Sequence, residues 1–126
     1  MEIQAEEKEG YVLVTPVGEL DVYTVPLFRK VVLKLEGDRR HDLIMDLTKL
    51  TFIDSSGLGS LIETFQKVQS ADGEIAFVID NPHMLKILKL VDLDKVFHIF
   101  PNLGRALEHV GAAGGYYDEE FFSDLT

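Results

Sequence analysis

Two hydroxyls and one carboxylate stand together in residues 52–59, Phe-Ile-Asp-Ser-Ser-Gly-Leu-Gly, where a strand-like run gives way to a helix. The N-terminus of a helix has partial positive charge and free N–H donors. A serine there, Ser55 or Ser56, could therefore accept a phosphate at little electrostatic cost. Gly57 and Gly59 lower helix propensity and leave the backbone accessible to something that approaches from outside.

The element that must position these groups is a helix. Apolar residues follow at helical spacing, namely Leu58, Leu61, Ile62, Phe65 and Val68. This spacing predicts one apolar stripe of an amphipathic helix. The polar residues just before the stripe are good N-cap types, so the two serines could also serve only as caps.

Other kinds of chemistry find less support. Ser55 lacks the Gly-x-Ser-x-Gly elbow of a hydrolase, and no Gly-Lys-Ser/Thr accompanies the Gly-x-Gly at residues 57–59. The histidines are scattered, at His41, His83, His98 and His109, and their spacing is not typical of a metal site. The sequence predicts no enzyme activity, no cofactor and no metal. A serine hydrolase that uses Ser55 remains a less favoured alternative, because a Ser–His pair can form between residues far apart in sequence.

Composition bounds the class of protein. The 126 residues suit one domain, and the apolar fraction of 46% is enough for one core. The net charge of −10 disfavours direct nucleic-acid binding, which relies on cationic contacts to phosphates. The sequence has no cysteine, no secretory signal and no apolar run of about eighteen residues, so we predict a cytoplasmic protein with no membrane span.

Strands and helices alternate along most of the chain. The sequence predicts strands at 2–5, 11–17, 42–47, 74–79 and 96–100, with residues 18–21 turning the chain. It predicts helices at 25–35, 58–70, 82–91 and 103–110, capped by Asn81 and Asn102 in the last two cases and ended by Gly111 in the last. The first two strands are close in sequence and are expected to be antiparallel, so the sheet should be mixed.

Several segments together resemble a known family. They are Asp46-Leu47-Thr48, then Leu50, residues 52–59, Gly18-Glu19-Leu20-Asp21 and residues 93–100. These match the signature of anti-sigma-factor antagonists, which are stand-alone STAS domains of bacterial partner-switching systems, over roughly residues 5–110. The resemblance implies a single-domain α/β STAS-type fold, with a mixed, mostly parallel sheet of about four to five strands packed with about four helices.

The resemblance also implies a function. In this family the unphosphorylated protein binds an anti-sigma factor that is also a serine kinase, which frees a sigma factor. Phosphorylation of the serine directly after the aspartate releases the partner, and a PP2C-type phosphatase resets the switch. That serine is Ser55 here, with Ser56 as second choice. The implied partner-binding residues are Glu19, Asp21, Asp54, Ser55, Ser56, Gly57, Leu58 and Gly59.

Three points stay open from the sequence. Asp54 could hydrogen-bond the loop or the incoming kinase, or it could be only a structural cap. The chain could instead be a STAS scaffold or signalling subunit whose partner is not an anti-sigma kinase. The sequence does not determine the oligomeric state.

The C-terminal residues differ in composition from the rest. We predict a STAS domain at residues 1–111 and an acidic, aromatic tail at residues 112–126, which has four acidic and no basic residues. The tail is either disordered or loosely docked, or it folds on a partner or on a second copy of the chain.

Overall fold

The structure of the protein is a computed structural model that describes residues 1–36 and 42–114. Its strands are Glu2–Lys8 (β1), Tyr11–Leu20 (β2), Leu43–Asp46 (β3), Leu50–Ile53 (β4), Ile75–Val78 (β5) and Ile99–Phe100 (β6). Its α-helices are Val25–Glu36 (α1), Ser55–Ser70 (α2), Pro82–Leu90 (α3) and Leu103–Gly114 (α4), with a short 3₁₀ helix at Leu93–Lys95.

The strands form one mixed sheet in the order β1-β2-β3-β5-β6, and β4 pairs with the far end of β2. β1 and β2 are antiparallel, whereas the other pairs are parallel. The predicted mixed, mostly parallel α/β sheet is therefore confirmed. It has six strands in the described residues, rather than four to five, because the short strand β4 pairs with β2 in addition to the five predicted strands.

The helices cover both faces of this sheet. Residues of α1, α2 and α3 share the larger core with one set of strand side chains, and α4 packs on the other face. Side chains of the central strand β3 point alternately to the two faces of the sheet. Leu43 and Met45 lie in the larger core, and Ile44 lies in the smaller one beneath α4. Both faces of β3 are buried, as its nearly continuous apolar run predicts.

The turn predicted at residues 18–21 is wrong for its first three residues. β2 continues through Pro16 to Leu20, and the chain turns only at Asp21. Residues 12–14 of β2 pair with β3, whereas residues 18–20 pair with β4. Gly18 lies at the change of partner, with φ +107° and a shift of register between it and Glu19. Glycine adopts this conformation readily, so Gly18 lets one strand serve two partners.

The ends of the last two elements also differ from prediction. The strand expected at 96–100 is shortened to Ile99–Phe100, because Leu93–Lys95 form a 3₁₀ helix whose end lies at Val96. α4 does not end at Gly111 but continues to Gly114, past the predicted domain boundary. The tail from residue 115 onward lies outside the described residues, and its behaviour stays a prediction.

The predicted caps of the last two helices are confirmed. Asn81 Oδ1 accepts hydrogen bonds from the backbone N–H groups of His83 (2.8 Å) and Met84 (3.4 Å). Asn102 Oδ1 accepts from the N–H of Arg105 at 3.0 Å. In the part of the chain that the structure describes, no helix is long and apolar enough to cross a bilayer.

Candidate functional site

Ser55 is the first residue of α2, directly beyond the carboxyl end of β4. Its side chain is exposed, and that of Ser56 is half-buried. Neither hydroxyl makes a hydrogen bond with any residue that the structure describes. The residue that caps α2 is Asp54, whose Oδ1 accepts from the N–H of Gly57 at 2.9 Å. The structural role left open for Asp54 is thus present, and the capping role considered for the serines is not.

Asp54 also ties the helix to the turn between β2 and α1. Its Oδ2 accepts from the backbone N–H of Val22 at 3.2 Å, and its own N–H donates to the carbonyl of Leu20 at 3.3 Å. One carboxylate therefore holds two loops together around Ser55. The serine hydroxyl stays uncommitted while its backbone is fixed.

The turn between β2 and α1 is stabilised from within by Asp21 and Thr24. The Asp21 carboxylate accepts from the N–H groups of Tyr23 (3.0 Å) and Thr24 (3.1 Å). The Thr24 hydroxyl accepts from the N–H of Asp21 at 2.9 Å and donates to the carbonyl of Glu19 at 2.8 Å. Asp21 is thus occupied inside the turn, whereas Glu19 is exposed next to it.

Three large apolar side chains near Ser55 are exposed to solvent. The exposed fractions are 88% for Tyr23, 56% for Val22 and 50% for Phe52. Val22 and Tyr23 belong to the turn held by Asp54, and Phe52 pairs with Glu19 across β2 and β4. We call Glu19, Val22, Tyr23, Phe52 and Ser55 the serine surface.

Sequence reasoning did not identify the apolar members of the serine surface. Phe52 stands inside the serine stretch, but its neighbour Ile53 is buried, and only the pairing of β4 reveals which of the two faces outward. Val22 and Tyr23 fall between the turn predicted at 18–21 and the helix predicted from residue 25, where the sequence assigns them no role. The available signal was the presence of two large apolar residues in a segment too short to bury both.

The residues that follow Ser56 have different environments. Gly57 is buried, and a Cβ there would contact the carbonyl oxygen of Leu20 and lie 2.7 Å from Ile53 Cγ1. Leu58 is half-buried against the larger core. Gly59 is exposed, with no atom within 4 Å of the Cβ that an alanine would add. The structure thus gives Gly57 and Leu58 packing roles and leaves Gly59 at the surface.

Removing the Asp54 carboxylate should loosen the site without unfolding the protein. We expect Asp54→Ala to lower the free energy of unfolding by about 1–2 kcal/mol, since an N-cap and a second hydrogen bond are lost. Asp54→Asn should have a smaller effect, because the amide oxygen can still cap α2 while the amide nitrogen cannot accept from Val22. Urea unfolding of the three proteins measures the order, and equal stability of Asp54→Ala and wild type would contradict it.

Two of the described histidines, His98 and His109, lie at the opposite end of the sheet from Ser55. His83 is exposed at the start of α3. His98 directly precedes β6 and contacts His109 of α4, with 4.8 Å between the ring centroids. His98 and His109 are at the amino ends of the parallel strands, whereas Ser55 is beyond the carboxyl end of β4. Neither of these two imidazole rings can therefore serve Ser55 as a base. This arrangement removes His98 and His109 as bases for the hydrolase alternative.

Comparisons with known proteins agree with this fold. The family model described as the STAS domain matches residues 2–106. The chain is 30% identical over 108 residues to an anti-sigma F factor antagonist from Paenibacillus polymyxa, covering 85% of this chain and 92% of that protein. It is 25% identical over 99 residues to an anti-sigma-B factor antagonist from Staphylococcus aureus (79% and 92% covered). The crystal structure of an anti-sigma factor antagonist from Mycobacterium paratuberculosis superposes with a TM-score of 0.79 at 29% identity (86% and 92% covered).

Proposed function

Since the chain belongs to the STAS-domain family, we propose that it acts as an anti-sigma factor antagonist, as the names of its relatives indicate for them. In this proposal the unphosphorylated chain binds an anti-sigma factor that is also a serine kinase, and so frees a sigma factor in the cytoplasm. The chain is a binding module and a kinase substrate. The observation that supports this best is the exposed, uncommitted hydroxyl of Ser55 at the N-terminus of α2.

The serine surface has the composition of a protein-binding site. Exposed aromatic residues in a group are common in protein interfaces, where each one buries a large apolar area. Tyr23 lies in the turn between β2 and α1, and Phe52 lies in β4, the strand that precedes Ser55. A partner that covers them would also cover the serine, and the exposed Glu19 offers a charge to a basic residue at the rim.

Phosphorylation of Ser55 would reverse that binding. The kinase transfers the γ-phosphoryl group of ATP to Ser55 Oγ, with loss of the hydroxyl proton, and leaves ADP. The modification adds about −1.5 to −2 charges and three acceptor oxygens. A partner that buries Ser55 would have to desolvate this charge beside Asp54, at a cost of several kcal/mol. A PP2C-type phosphatase, with manganese or magnesium, would restore the hydroxyl by hydrolysis.

The fold itself can tolerate the modified serine. Negative charge in the first turn of a helix is stabilised by the helix dipole, typically by about 0.3–1 kcal/mol. The Asp54 oxygens already accept from Gly57 and Val22, which partly offsets their repulsion of a phosphate. Release of the partner therefore needs no large rearrangement of the domain.

Phosphoryl transfer provides the direct test. The purified chain is incubated with Mg²⁺-ATP and an ATP-binding anti-sigma factor encoded near its own gene, and phosphate is located by tandem mass spectrometry. We expect one phosphate on Ser55, its loss in Ser55→Ala, and its retention in Ser56→Ala. Phosphate on Ser56 instead would keep the mechanism and correct the residue. Tight binding with no transfer to either serine would contradict the kinase step and favour the scaffold alternative.

A further inference from the structure

A second group of polar side chains converges at the amino ends of β5 and β6, at the end of the sheet opposite to Ser55. Glu74 directly precedes β5, His98 directly precedes β6, and His109 lies on α4. Glu74 Oε1 is 3.4 Å from His98 Nδ1 and 3.5 Å from His109 Nε2. The three atoms all lie within 4.8 Å of one another. We propose that Glu74, His98 and His109 bind a Zn²⁺ ion.

The two imidazole nitrogens that face Glu74 lack hydrogen-bond partners among the described residues, although both lie within ion-pairing distance of its carboxylate. His98 Nδ1 and His109 Nε2 are buried, and neither makes a hydrogen bond within residues 1–36 and 42–114. Buried polar atoms are seldom left unpaired in folded proteins. A cation between the three residues would satisfy both nitrogens and the carboxylate oxygen together. The side chains as a whole stay 27–40% exposed, which leaves a path for the ion and room for water.

Two of the three distances between ligand atoms fit a tetrahedral ion. With bonds of about 2.0–2.1 Å, neighbouring ligands of tetrahedral Zn²⁺ are about 3.3–3.4 Å apart. The two carboxylate–imidazole distances fall within about 0.2 Å of this edge length. The two imidazole nitrogens lie within 4.8 Å of each other, and we expect this third distance to shorten when the ion binds. Water would occupy the fourth position.

The donor set selects the class of metal. Two imidazoles and one carboxylate suit Zn²⁺ and related transition metals, whereas Mg²⁺ and Ca²⁺ prefer oxygen ligands. This set is not evident in the sequence because its members come from three separate elements. Only the pairing of β5 with β6 and the packing of α4 bring them together.

The backbone of each ligand is already fixed. The Glu74 N–H donates to Asp42 Oδ1 at 2.9 Å, and its carbonyl accepts from Leu43 at 2.8 Å. The carbonyl of His98 accepts from Phe77 at 2.9 Å. Little ordering of the chain would therefore accompany binding, which favours affinity.

The rings are held as well. The ring of His98 contacts Phe65 edge-on, with 6.5 Å between centroids, and the ring of His109 lies 5.2 Å from that of Phe100. Val110, next to His109, is buried in the smaller core. A bound ion would join α4 to the amino ends of β5 and β6. It would lie far from the serine surface, so its loss should leave phosphorylation of Ser55 unchanged.

Zinc titration of the full-length, tag-free protein tests the site. Metal is first removed with a chelator, and ZnCl₂ is then added in competition with a chromophoric chelator at neutral pH. We expect one equivalent to bind, and His98→Gln and His109→Gln each to weaken binding by at least about tenfold. His83→Gln is the matched control and should bind as wild type does. Zn²⁺ should raise the unfolding temperature of wild type and His83→Gln, but not of the other two variants.

Nuclear magnetic resonance of the wild type covers the case in which the variants fold poorly. One equivalent of Zn²⁺ should shift the ring resonances of His98 and His109 and leave those of His83 in place. Binding that persists unchanged in both His98→Gln and His109→Gln would overturn the site, as would shifts at His83 alone. The absence of any binding by wild type at about 100 μM Zn²⁺ would also overturn the site. A dissociation constant above that concentration corresponds to a binding free energy too small for the ion to occupy the site in a cell.

Discussion

Phosphorylation of Ser55 is expected to weaken binding to the anti-sigma factor by about a thousandfold, which corresponds to about 4 kcal/mol. The effect is large because the partner would bury Ser55 together with the exposed apolar residues of the serine surface, and the modified oxygens would then lose their water. Ser55→Asp introduces only one charge on a shorter side chain, so we expect a loss of at least about tenfold. Calorimetric titration of each form with the purified partner gives the affinities.

Ser55→Asn is the matched control for this experiment. Asparagine has nearly the size of aspartate but no charge, so it should lose much less affinity than Ser55→Asp if charge drives release. Both variants should unfold within about 1 kcal/mol of wild type, since the helix N-terminus accepts either side chain. Equal losses in Asn and Asp would assign the effect to size. Full affinity of the phosphorylated chain would contradict the proposed switch.

The elements that position Ser55 differ in how well the sequence predicts them. The stripe from Leu58 to Val68 predicts α2, because side-chain periodicity is a local property of the chain. The apolar runs of β3 and β5 predict strands buried on both faces for the same reason. The prediction for the end of β2 is wrong because this end depends on a partner strand. The sequence of residues 18–20 is typical of a turn, but pairing with β4 makes these residues part of a strand.

The candidate site shows the same division. Its serine, its aspartate and its helix are evident in one short stretch of sequence. The cap by Asp54 on Gly57 is also local, but the bond to Val22 joins residues that are far apart in the chain. Exposure of Val22 and Tyr23 depends on where the turn lies after folding. Contacts of this kind require the three-dimensional arrangement, and so does the cluster around Glu74.

Gly57→Ala is expected to destabilise the protein by about 3 kcal/mol, which lowers the unfolding temperature by roughly 10 °C. The added Cβ would contact the carbonyl oxygen of Leu20 and would lie 3.1 Å from its carbonyl carbon. That carbonyl already accepts from the N–H of Asp54, so it cannot turn away without breaking the link between β2 and α2. The first turn of α2 must move instead. We therefore expect the variant to be a poor phosphate acceptor as well.

Gly59→Ala, two residues further along the same helix, separates the effect of contact from that of helix propensity. Its Cβ would meet no atom within 4 Å, and alanine favours a helix over glycine by about 0.5–1 kcal/mol. We expect this variant to be more stable than wild type and to accept phosphate normally. Urea unfolding and phosphoryl transfer compare the two alanines directly. If both alanines stabilised the protein, Gly57 would not be the point of close approach between α2 and β2, and the placement of Ser55 would need another explanation.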